Sequence, residues 1–214
     1  MLLYGFVMPN RLFGDVLEVG CGSGVIGLLL KKEFDINLTM IDIQEINVSL
    51  AKKNALNLGY ECEILQEDFR SFKSEFKFDF IISNPPYYDA NIKKSEDLHL
   101  NVSRYSHHLE LDEFLNSANR NLKPKGELFF CYDAKKIASI FNLLAKFKLT
   151  PSVVRFIHSK EGKAAKLVLV HAKKSSRAMC EILSPIFIKS GDEKFSKELE
   201  EVYKKANLKS YDVD

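Results

Sequence analysis

The chain has 214 residues, of which 46% are hydrophobic and 28% are charged, and its net charge is +2. This length suits one domain with a substantial core and is short for two. The longest apolar runs fall far below the roughly 18 residues of a membrane span, and the apolar N-terminal stretch lacks the basic start and the cleavage site of a signal peptide. The four cysteines have no paired spacing, which favours reduced thiols in the cytoplasm over disulfides or a metal site.

The N-terminal part of the chain predicts a strand, a glycine-rich turn and a helix. Residues 15–19 form a short apolar strand, residues 20–24 the turn, and residues 25–32 the start of the helix. Such a turn lets a ligand lie against bare backbone and against the helix N-terminus. A second strand, residues 37–41, ends in Asp42, whose carboxylate can accept hydrogen bonds from both hydroxyls of a ribose.

A dinucleotide site is the first alternative for this turn. Residues 22–27 fit the G-x-G-x-x-G fingerprint, and Asp42 lies about 20 residues beyond its first glycine. In that fingerprint, however, the first glycine directly follows the strand, which here is Gly20, and the third would then fall on Val25. The acidic residue two positions before the turn, Glu18, suits a ligand with an ammonium group. Dinucleotide binding is therefore the weaker interpretation.

The most informative segment follows a predicted buried strand at residues 78–83 and consists of Asn84, Pro85, Pro86 and Tyr87. The two prolines fix their φ angles and lack N–H donors, so the backbone is stiff and offers carbonyl acceptors. The Asn84 side-chain oxygen and the Pro85 carbonyl can together hold both hydrogens of a planar NH2 group, while Tyr87 stacks on the group that bears it. This arrangement predicts methyl transfer to an amide or a base amine. The structural alternative is a proline-rich turn with a buried tyrosine.

Strand and helix patterns alternate along the rest of the chain, which favours a parallel α/β sheet. Two strands joined by a basic loop that contains Gly162 predict a closing β-hairpin. The further predicted strands are residues 61–65, 127–132, 152–158, 167–171 and 185–188. One further helix has its apolar face at residues 48–58, and others begin near residues 111, 134 and 193. No pair of histidines has metal-ligand spacing, and no metal is expected.

These motifs resemble those of the class I S-adenosylmethionine-dependent methyltransferases. Residues 18–24 are similar to the family's first motif, and Asp42 matches the ribose-binding acid at the end of its second strand. Residues 66–69 resemble the segment in which an acid meets the adenine amine of the cofactor, and residues 84–87 resemble the motif that methylates amines. Residues 122–130 are similar to the joint before the fifth strand.

The resemblance implies a Rossmann-like α/β fold with a mostly parallel seven-stranded sheet, a C-terminal antiparallel hairpin and helices on both faces. It implies a methyltransferase domain over residues 1–174 and a C-terminal extension, residues 175–214, that packs on the same domain. The implied cofactor is S-adenosylmethionine, with S-adenosylhomocysteine as the product. We expect a cytoplasmic protein that is a monomer or a weak dimer and that binds neither DNA nor a membrane.

Within this class, the chain resembles the bacterial tRNA adenine-N6 methyltransferases that modify the base beside the anticodon of a valine tRNA. Their pattern of Asn-Pro-Pro-Tyr-Tyr followed by a polar loop and Ser-Arg-Tyr is matched by Tyr88 and residues 103–105. The resemblance implies tRNA as the substrate. These relatives have a further segment before the first strand that closes over the cofactor, and the chain starts near the end of that segment, so we expect weak cofactor affinity.

The resemblance also implies a set of site residues. The expected catalytic residues are Asn84, Pro85, Pro86 and Tyr87. The expected cofactor-binding residues are Glu18, Gly20, Cys21, Gly22, Gly24, Asp42, Ile43, Asp68, Phe69 and Asn84. The expected substrate-binding residues are Tyr88, Lys93, Lys94, Arg104, Lys163 and Lys166. Lys173 and Lys174 are interpreted as solvated surface lysines.

Three alternatives stay open at this point. A carboxamide is also flat and carries two hydrogens, so the same motif suits methylation of a protein glutamine. A ribosomal RNA guanine-N2 methyltransferase is another possibility, although phenylalanine more often replaces Tyr87 there. A cofactor-binding partner without activity of its own is the third.

Overall fold

The computed structural model describes residues 1–85, 109–177, 179–189 and 195–207. These ranges contain eight strands, namely β1 Gly14–Val19, β2 Ile36–Asp42, β3 Glu63–Gln66, β4 Phe78–Ser83, β5 Leu122–Asp133, β6 Leu149–His158, β7 Ala165–Lys174 and β8 Glu181–Phe187. They also contain six α-helices, namely α1 Leu2–Val7, α2 Val25–Glu33, α3 Glu45–Asn57, α4 Leu111–Asn121, α5 Ile137–Lys146 and α6 Lys197–Ala206. A single 3-10 turn, Ala134–Lys136, connects β5 to α5.

All eight strands form one sheet in the order β3-β2-β1-β4-β5-β7-β6-β8. Strands β1 to β5 are parallel, and β7 is antiparallel to both of its neighbours. This arrangement confirms the Rossmann-like class and the C-terminal antiparallel hairpin. The expected number of seven strands is corrected to eight, because β8 in the C-terminal segment pairs in parallel with β6 and buries Ile186. An unpaired β6 edge would have left a row of backbone donors and acceptors open.

Two hydrophobic clusters, one on each face, hold the helices against the sheet. One cluster gathers residues of α1, α2, α3 and α6, and the other gathers residues of α4 and α5. The central strands are buried on both faces, which explains why residues 78–83 form an almost continuous apolar run. Helices therefore cover both faces, as expected.

Strand β5 is longer than the sequence indicated. The pattern predicted a strand from residue 127, whereas the ladder with β4 already begins at Leu122. The register shifts between Phe78 and Phe80 to accommodate this start. A Cβ on Gly126 would lie 2.9 Å from the Lys123 carbonyl oxygen, so only glycine fits there without a shift.

The N-terminal and C-terminal segments meet on one face of the sheet. Helix α1, which the sequence patterns did not predict, lies against α6, where Gly5 is so close to Val202 that an added Cβ would be 2.8 Å from it. The Ser196 hydroxyl caps α6 by accepting from the Leu199 amide at 3.4 Å. A division into a domain and an extension at residue 175 stays a prediction.

Candidate active site

A cleft of about 160 Å³ lies at the carboxyl ends of β1, β2 and β4. The strand order reverses between β1 and β4, and ligands of open α/β sheets bind at such a switch point. The cleft is lined by Val19, Gly20, Gly22, Ile41, Asp42, Ile43, Gln44, Asn47, Glu67, Asp68, Phe69, Ser83, Asn84, Pro85 and Leu109. Eight of these residues belong to the predicted site: Gly20, Gly22, Asp42, Ile43, Asp68, Phe69, Asn84 and Pro85.

The glycine turn leaves backbone open to the cleft. Gly20, Gly22 and Gly24 have φ angles of 66°, 55° and 76°, in the left-handed region that other residues rarely adopt. A Cβ at Gly20 or Gly22 would meet nothing within 4 Å, so a ligand has room against these two backbones. The turn is fixed because the Gly20 and Cys21 amides donate to the Ile41 carbonyl at 2.9 and 3.1 Å.

The boundaries of the turn also decide between the two glycine fingerprints. Strand β1 ends at Val19 and α2 begins at Val25, so Gly20 is the first glycine after the strand. Gly27 lies inside α2, where an added Cβ would be 2.5 Å from a Glu18 oxygen. Close packing of α2 on β1 explains Gly27, and the fingerprint counted from Gly20, the first glycine after the strand, would need its third glycine at Val25.

Asp42 is a buried carboxylate with its oxygens at the wall of the cleft. One oxygen accepts from the Gly22 amide at 2.9 Å. The other accepts from the Gln44 amide at 2.9 Å and from the Asn47 side chain at 3.1 Å. These donors fix the carboxylate beside the glycine turn, and its four lone-pair sites leave room for a ligand hydroxyl.

Glu18 does not line the cleft. Its carboxylate is 3% exposed and accepts from the Gly27 amide at 2.9 Å, which ties the end of β1 to the first turn of α2. Burial raises the pKa of Glu18 to about 8, the Gly27 amide opposes this shift, and the nearby Asp42 carboxylate adds to it. The structure thus places Glu18 beneath the glycine turn, as a support for it.

Cys21 and Gly24 also lie behind the cleft surface. Cys21 is buried, and burial raises the pKa of its thiol above the ordinary value, with smaller contributions from Glu18 and Asp42. Gly24 is the N-cap residue of α2 and lies against Met40 and Ala51. Neither residue lines the cleft.

Asp68 and Phe69 close the cleft on the β3 side. The Asp68 carboxylate is held by Arg70, whose Nε lies 3.0 and 2.9 Å from the two oxygens. Arg70 in turn is held by Arg120, which donates to the Arg70 carbonyl at 2.8 Å. Phe69 is buried against Phe114 at 5.9 Å between ring centroids, so it presents a fixed apolar edge to the cleft.

Asn84 and Pro85 stand at the opposite wall, directly after β4. Ser83 is buried and donates from its hydroxyl to the Val19 carbonyl at 2.9 Å, which locks the end of β4 to the end of β1. Asn84 is exposed toward the cleft, whereas Pro85 is buried. Asn84 and Pro85 therefore follow a fixed strand end and line the same cleft as Gly20.

The other predicted site residues divide into two groups. Lys163 and Lys166 are exposed at the β6–β7 hairpin and do not line the cleft. The remaining ones lie outside the described residues: Pro86, Tyr87, Tyr88, Lys93, Lys94 and Arg104. Residues 103–105, which carry part of the resemblance, also lie outside them.

Several cleft residues were not predicted from the sequence, namely Val19, Ile41, Gln44, Asn47, Glu67, Ser83 and Leu109. Asn47 could have been found, because it lies on the first turn of the helix that follows Asp42. Ser83 could also have been found as the polar end of an apolar strand. Leu109 has no signal of this kind, since its place depends on how the chain returns to the sheet.

Three further observations concern the described part of the chain: its helices, its possible metal ligands and its cysteines. None of its helices is both long enough and apolar enough to span a membrane. Its His, Cys, Asp and Glu side chains form no group of three or more that could hold a metal ion. Its cysteines, including Cys21 and Cys131, are free thiols.

The fold is that of the class I methyltransferases. The bare glycine backbone, the Asp42 carboxylate and the apolar sides of Ile43 and Phe69 fit the amino-acid, ribose and adenine parts of S-adenosylmethionine. Two solved structures share the fold. A predicted O-methyltransferase of Agrobacterium tumefaciens matches with a TM-score of 0.74 at 16% identity, covering 99% of both chains. The ribosomal protein L11 methylase of Lactobacillus delbrueckii matches with a TM-score of 0.60 at 18% identity, covering 82% of this chain and 76% of its own.

Sequence comparison gives the family. Residues 2–154 match the methyltransferase small domain, so the chain belongs to that family and is an S-adenosylmethionine-dependent methyltransferase. The tRNA1(Val) (adenine(37)-N6)-methyltransferase of Phocaeicola vulgatus is 30% identical over 161 residues, which cover 74% of this chain and 68% of the relative. The ribosomal RNA small subunit methyltransferase C of Actinobacillus pleuropneumoniae is 39% identical over 91 residues, 42% of this chain and 27% of the relative.

Proposed function

We propose that this chain transfers a methyl group from S-adenosylmethionine to the exocyclic N6 amine of an adenine in tRNA. The observation that carries the proposal is that Asn84 and Pro85 line the same cleft as the glycine turn and Asp42. The resemblance to tRNA adenine-N6 methyltransferases extends over most of the chain. Together they supply both a reaction and a substrate class.

In this proposal the β1–β3 side of the cleft holds the cofactor. Gly20 and Gly22 receive its amino-acid end against their bare backbones, since a side chain there would fill the open space. The Asp42 carboxylate accepts from the ribose hydroxyls while Gly22, Gln44 and Asn47 keep it in place. Ile43 flanks the adenine ring, and Asp68 accepts from its amine.

The β4 side orients the acceptor. When bound, S-adenosylmethionine supplies an electrophilic methyl group. The Asn84 side-chain oxygen and the Pro85 carbonyl accept the two hydrogens of the target amine, which draws the nitrogen lone pair out of conjugation and aims it at the methyl carbon. We assign to Tyr87 the role of stacking on the target base after that base has turned out of its loop.

The side chains in this cleft need not include a strong general base. The amine nitrogen becomes acidic only once it carries the methyl group, so its proton can leave after the transfer. Rate then depends on holding the nitrogen and the methyl carbon in line and on oxygen dipoles that match the developing positive charge on the amine. In this proposal Asn84 and Pro85 therefore have the central role in the mechanism.

Mass spectrometry of nucleosides tests the proposal. A valine tRNA transcript is incubated with the protein and S-adenosylmethionine and then digested to nucleosides. We expect N6-methyladenosine from the unaltered protein and none from Asn84→Ala. Formation of N2-methylguanosine instead, or of no methylated nucleoside at all, would contradict the proposal.

A ribosomal RNA guanine-N2 methyltransferase is the second candidate, because the segment similar to methyltransferase C of Actinobacillus pleuropneumoniae has the higher identity. That similarity covers 27% of the relative, so it reports the shared catalytic domain rather than the substrate. Labelled methyl groups in small-subunit ribosomal RNA would favour this candidate. Label in protein glutamine would favour a glutamine methyltransferase, and label in no polymer would favour a cofactor-binding partner without activity.

The same proposal predicts the partner, the cofactor product, the location and the oligomeric state of the enzyme. Its macromolecular partner is tRNA, its cofactor product is S-adenosylhomocysteine, and its location is the cytoplasm. We propose that it acts as a monomer or a weak dimer. Light scattering of the purified protein, with and without tRNA, tests the oligomeric state.

A further inference from the structure

The carboxyl edge of the sheet carries a second feature beside the cleft, a group of lysines on two neighbouring turns. We call this group the basic edge; its members are Lys135, Lys136, Lys160, Lys163 and Lys166. Every one of these side chains belongs to an exposed residue. Within the described ranges, none of the five lysines forms an ion pair.

Strand order brings the two turns together beside Asn84. Ser83 of β4 pairs with Phe130 of β5, and β5 continues to Asp133 before the turn Ala134–Lys136. Because β7 is antiparallel to β5, the β6–β7 hairpin returns at this same edge, where Asp133 pairs with Leu167. Neighbouring strands are about 4.8 Å apart, so the hairpin lies roughly 10 to 15 Å from β4 across the sheet.

Both turns are held by their own hydrogen bonds. The Asp133 carboxylate accepts from the Lys135 amide at 3.0 Å, which fixes the first turn. In the hairpin, the His158 ring donates from Nδ1 to the Lys163 carbonyl at 2.6 Å, and the Lys163 amide donates to the Lys160 carbonyl at 3.2 Å. The first turn also contacts β7 directly. The lysines therefore project from a continuous, ordered surface.

The charge at the other end of the cleft has the opposite sign. Carboxylates gather at the ends of β2 and β3: Asp42, Glu45, Glu67 and Asp68. Arg70 pairs with Asp68 and cancels its charge, so Asp42, Glu45 and Glu67 give this end its negative sign. A polyanion is repelled from this end and attracted to the basic edge, where the described residues of the two turns have five lysines and two carboxylates, Asp133 and Glu161.

Two further lysines on β7 are excluded from this surface. Lys173 and Lys174 lie at the amino end of the sheet, because β7 runs in the opposite direction to β5. Lys173 pairs with Glu127 at 2.8 Å, and Lys174 donates to the Leu122 carbonyl at 2.9 Å. Burial lowers the pKa of Lys174, with a smaller contribution from Lys77, as is expected of a structural lysine.

We propose that the basic edge is the surface on which the phosphate backbone of the RNA substrate docks, an inference that rests on the proposed function. The RNA approaches over the turn after β5 and the β6–β7 hairpin, and the target adenine reaches Asn84 from that side. The acidic end around Asp42 and Glu67 stays free for the cofactor. This adds Lys135 and Lys136, which no sequence motif singled out, to the substrate-binding residues.

Two charge-reversing double variants test the surface: Lys135→Glu with Lys136→Glu, and Lys163→Glu with Lys166→Glu. The matched control is Lys52→Glu with Lys53→Glu, an exposed pair on α3 with the same change in charge. Binding of a valine tRNA transcript is measured over a range of salt concentrations, together with S-adenosylhomocysteine affinity and thermal unfolding as checks on the fold. Each edge variant should bind tRNA about tenfold or more weakly than the unaltered protein, with a shallower salt dependence, since each lost lysine–phosphate contact lowers the slope by about one.

The outcomes separate this inference from the proposed function. If the unaltered protein binds tRNA and the edge variants match the control, RNA docks elsewhere, the inference fails and the proposed function stands. If the unaltered protein does not bind tRNA, both fail. Loss of binding in the edge variants, with unchanged cofactor affinity and unfolding temperature, supports the inference.

Discussion

The two sides of the cleft are built in different ways. On the β1–β3 side, the ligand-facing backbone is fixed by contacts within one strand-turn-helix unit and the strand beside it, through the Ile41 carbonyl and the Asp42 carboxylate. On the β4 side, Asn84 is fixed mainly by a long-range contact, the bond from Ser83 to Val19 across 64 residues of sequence. The side that we propose for the cofactor, the cofactor side, is thus built by local contacts, whereas the side that we propose for the target amine, the acceptor side, depends on a long-range contact.

In the proposed function, the substrate specificity of the enzyme therefore depends mainly on the β4 side. A locally built cofactor side can serve any methyltransferase that uses the same cofactor. The acceptor side combines Asn84 and Pro85 with the basic edge, and these come together only through the order of β4, β5, β7 and β6. Changes on the acceptor side should therefore alter turnover and substrate choice, while changes on the cofactor side should alter affinity.

The largest expected effect is that of Asn84→Ala. The variant loses an oriented acceptor for the target amine, so we expect kcat to fall about 100- to 1,000-fold, as is typical when one preorganised polar group is removed. Single-turnover transfer of labelled methyl to tRNA measures this directly. Cofactor affinity should change little, because the carboxylate and the glycine turn on the other side stay intact.

The matched control for Asn84→Ala is Asn57→Ala, since Asn57 is exposed at the end of α3. That variant should retain full activity. A loss in kcat of less than about tenfold for Asn84→Ala, with cofactor still bound, would remove Asn84 from the catalytic role.

Next in size is the effect of Asp42→Ala on cofactor binding. A hydrogen bond to a charged acceptor contributes about 1.5–3 kcal/mol, so the Kd for S-adenosylhomocysteine should rise roughly 10- to 100-fold. Calorimetric titration measures it. The control is Asp35→Ala, an exposed carboxylate just before the amino end of the same strand. Equal affinities for the two variants would show that the ribose lies elsewhere.

The sequence predicted the cofactor side more fully than the acceptor side, and the reason is physical. The glycines after β1 and the acid after β2 signal their roles within a few residues, because backbone conformation and strand ends are local properties. The motif did not reveal that Glu18 is buried beneath the turn, where it accepts a hydrogen bond from the Gly27 amide. A pattern gives a residue's position in the chain but not the direction of its side chain.

On the acceptor side, the sequence patterns predicted the strand before Asn84 and the basic hairpin, but not that Lys135 and Lys136 share an edge with the hairpin. That juxtaposition depends on β7 inserting between β5 and β6. Likewise, the pattern predicted a strand at residues 185–188 but neither its true bounds, Glu181–Phe187, nor its place in the sheet, because that place depends on pairing with β6.

Glu18→Gln tests the support beneath the cofactor side through its pH dependence. The folded pKa of Glu18 is about 8 against an ordinary value of 4.5, so the folded state takes up a proton in this range. Its stabilising contribution is therefore complete below pH 4.5 and is lost as the pH rises through 8.

We expect the free energy of unfolding of the cofactor-free protein to fall by more than about 1 kcal/mol between pH 4.5 and 8. The fall should be smaller in Glu18→Gln, because the glutamine amide does not titrate and its oxygen can still accept from the Gly27 amide. Denaturant unfolding at several pH values measures both. Glu61→Gln, at an exposed position, should follow the unaltered protein. Parallel pH profiles for Glu18→Gln and the unaltered protein would contradict the assignment.

The smallest expected effect lies at the amino end of the sheet, far from the cleft. There Lys123 bridges Asp15 at 2.9 Å and Asp79 at 2.7 Å, and Asp79 also accepts from the Asp15 amide. Lys123→Met leaves the two carboxylates side by side. Because the lysine is 37% exposed, solvent screens the interaction and the loss in the free energy of unfolding should be about 1 kcal/mol or less.

The pH dependence of Lys123→Met identifies the cause of that loss. The hydrogen bond from Lys123 is the largest of the causes that hold the pKa of Asp15 below its ordinary value of 3.8. The contribution of the pair is thus present above pH 3.8 and is lost as the pH falls below it. The difference in the free energy of unfolding between Lys123→Met and the unaltered protein should shrink below pH 3.8 and in high salt. The exposed control Lys73→Met should unfold like the unaltered protein at every pH. Since this cluster lies at the opposite edge from Asn84, methyl transfer should continue at the full rate, and a fall in kcat would mean that the two edges of the sheet are coupled.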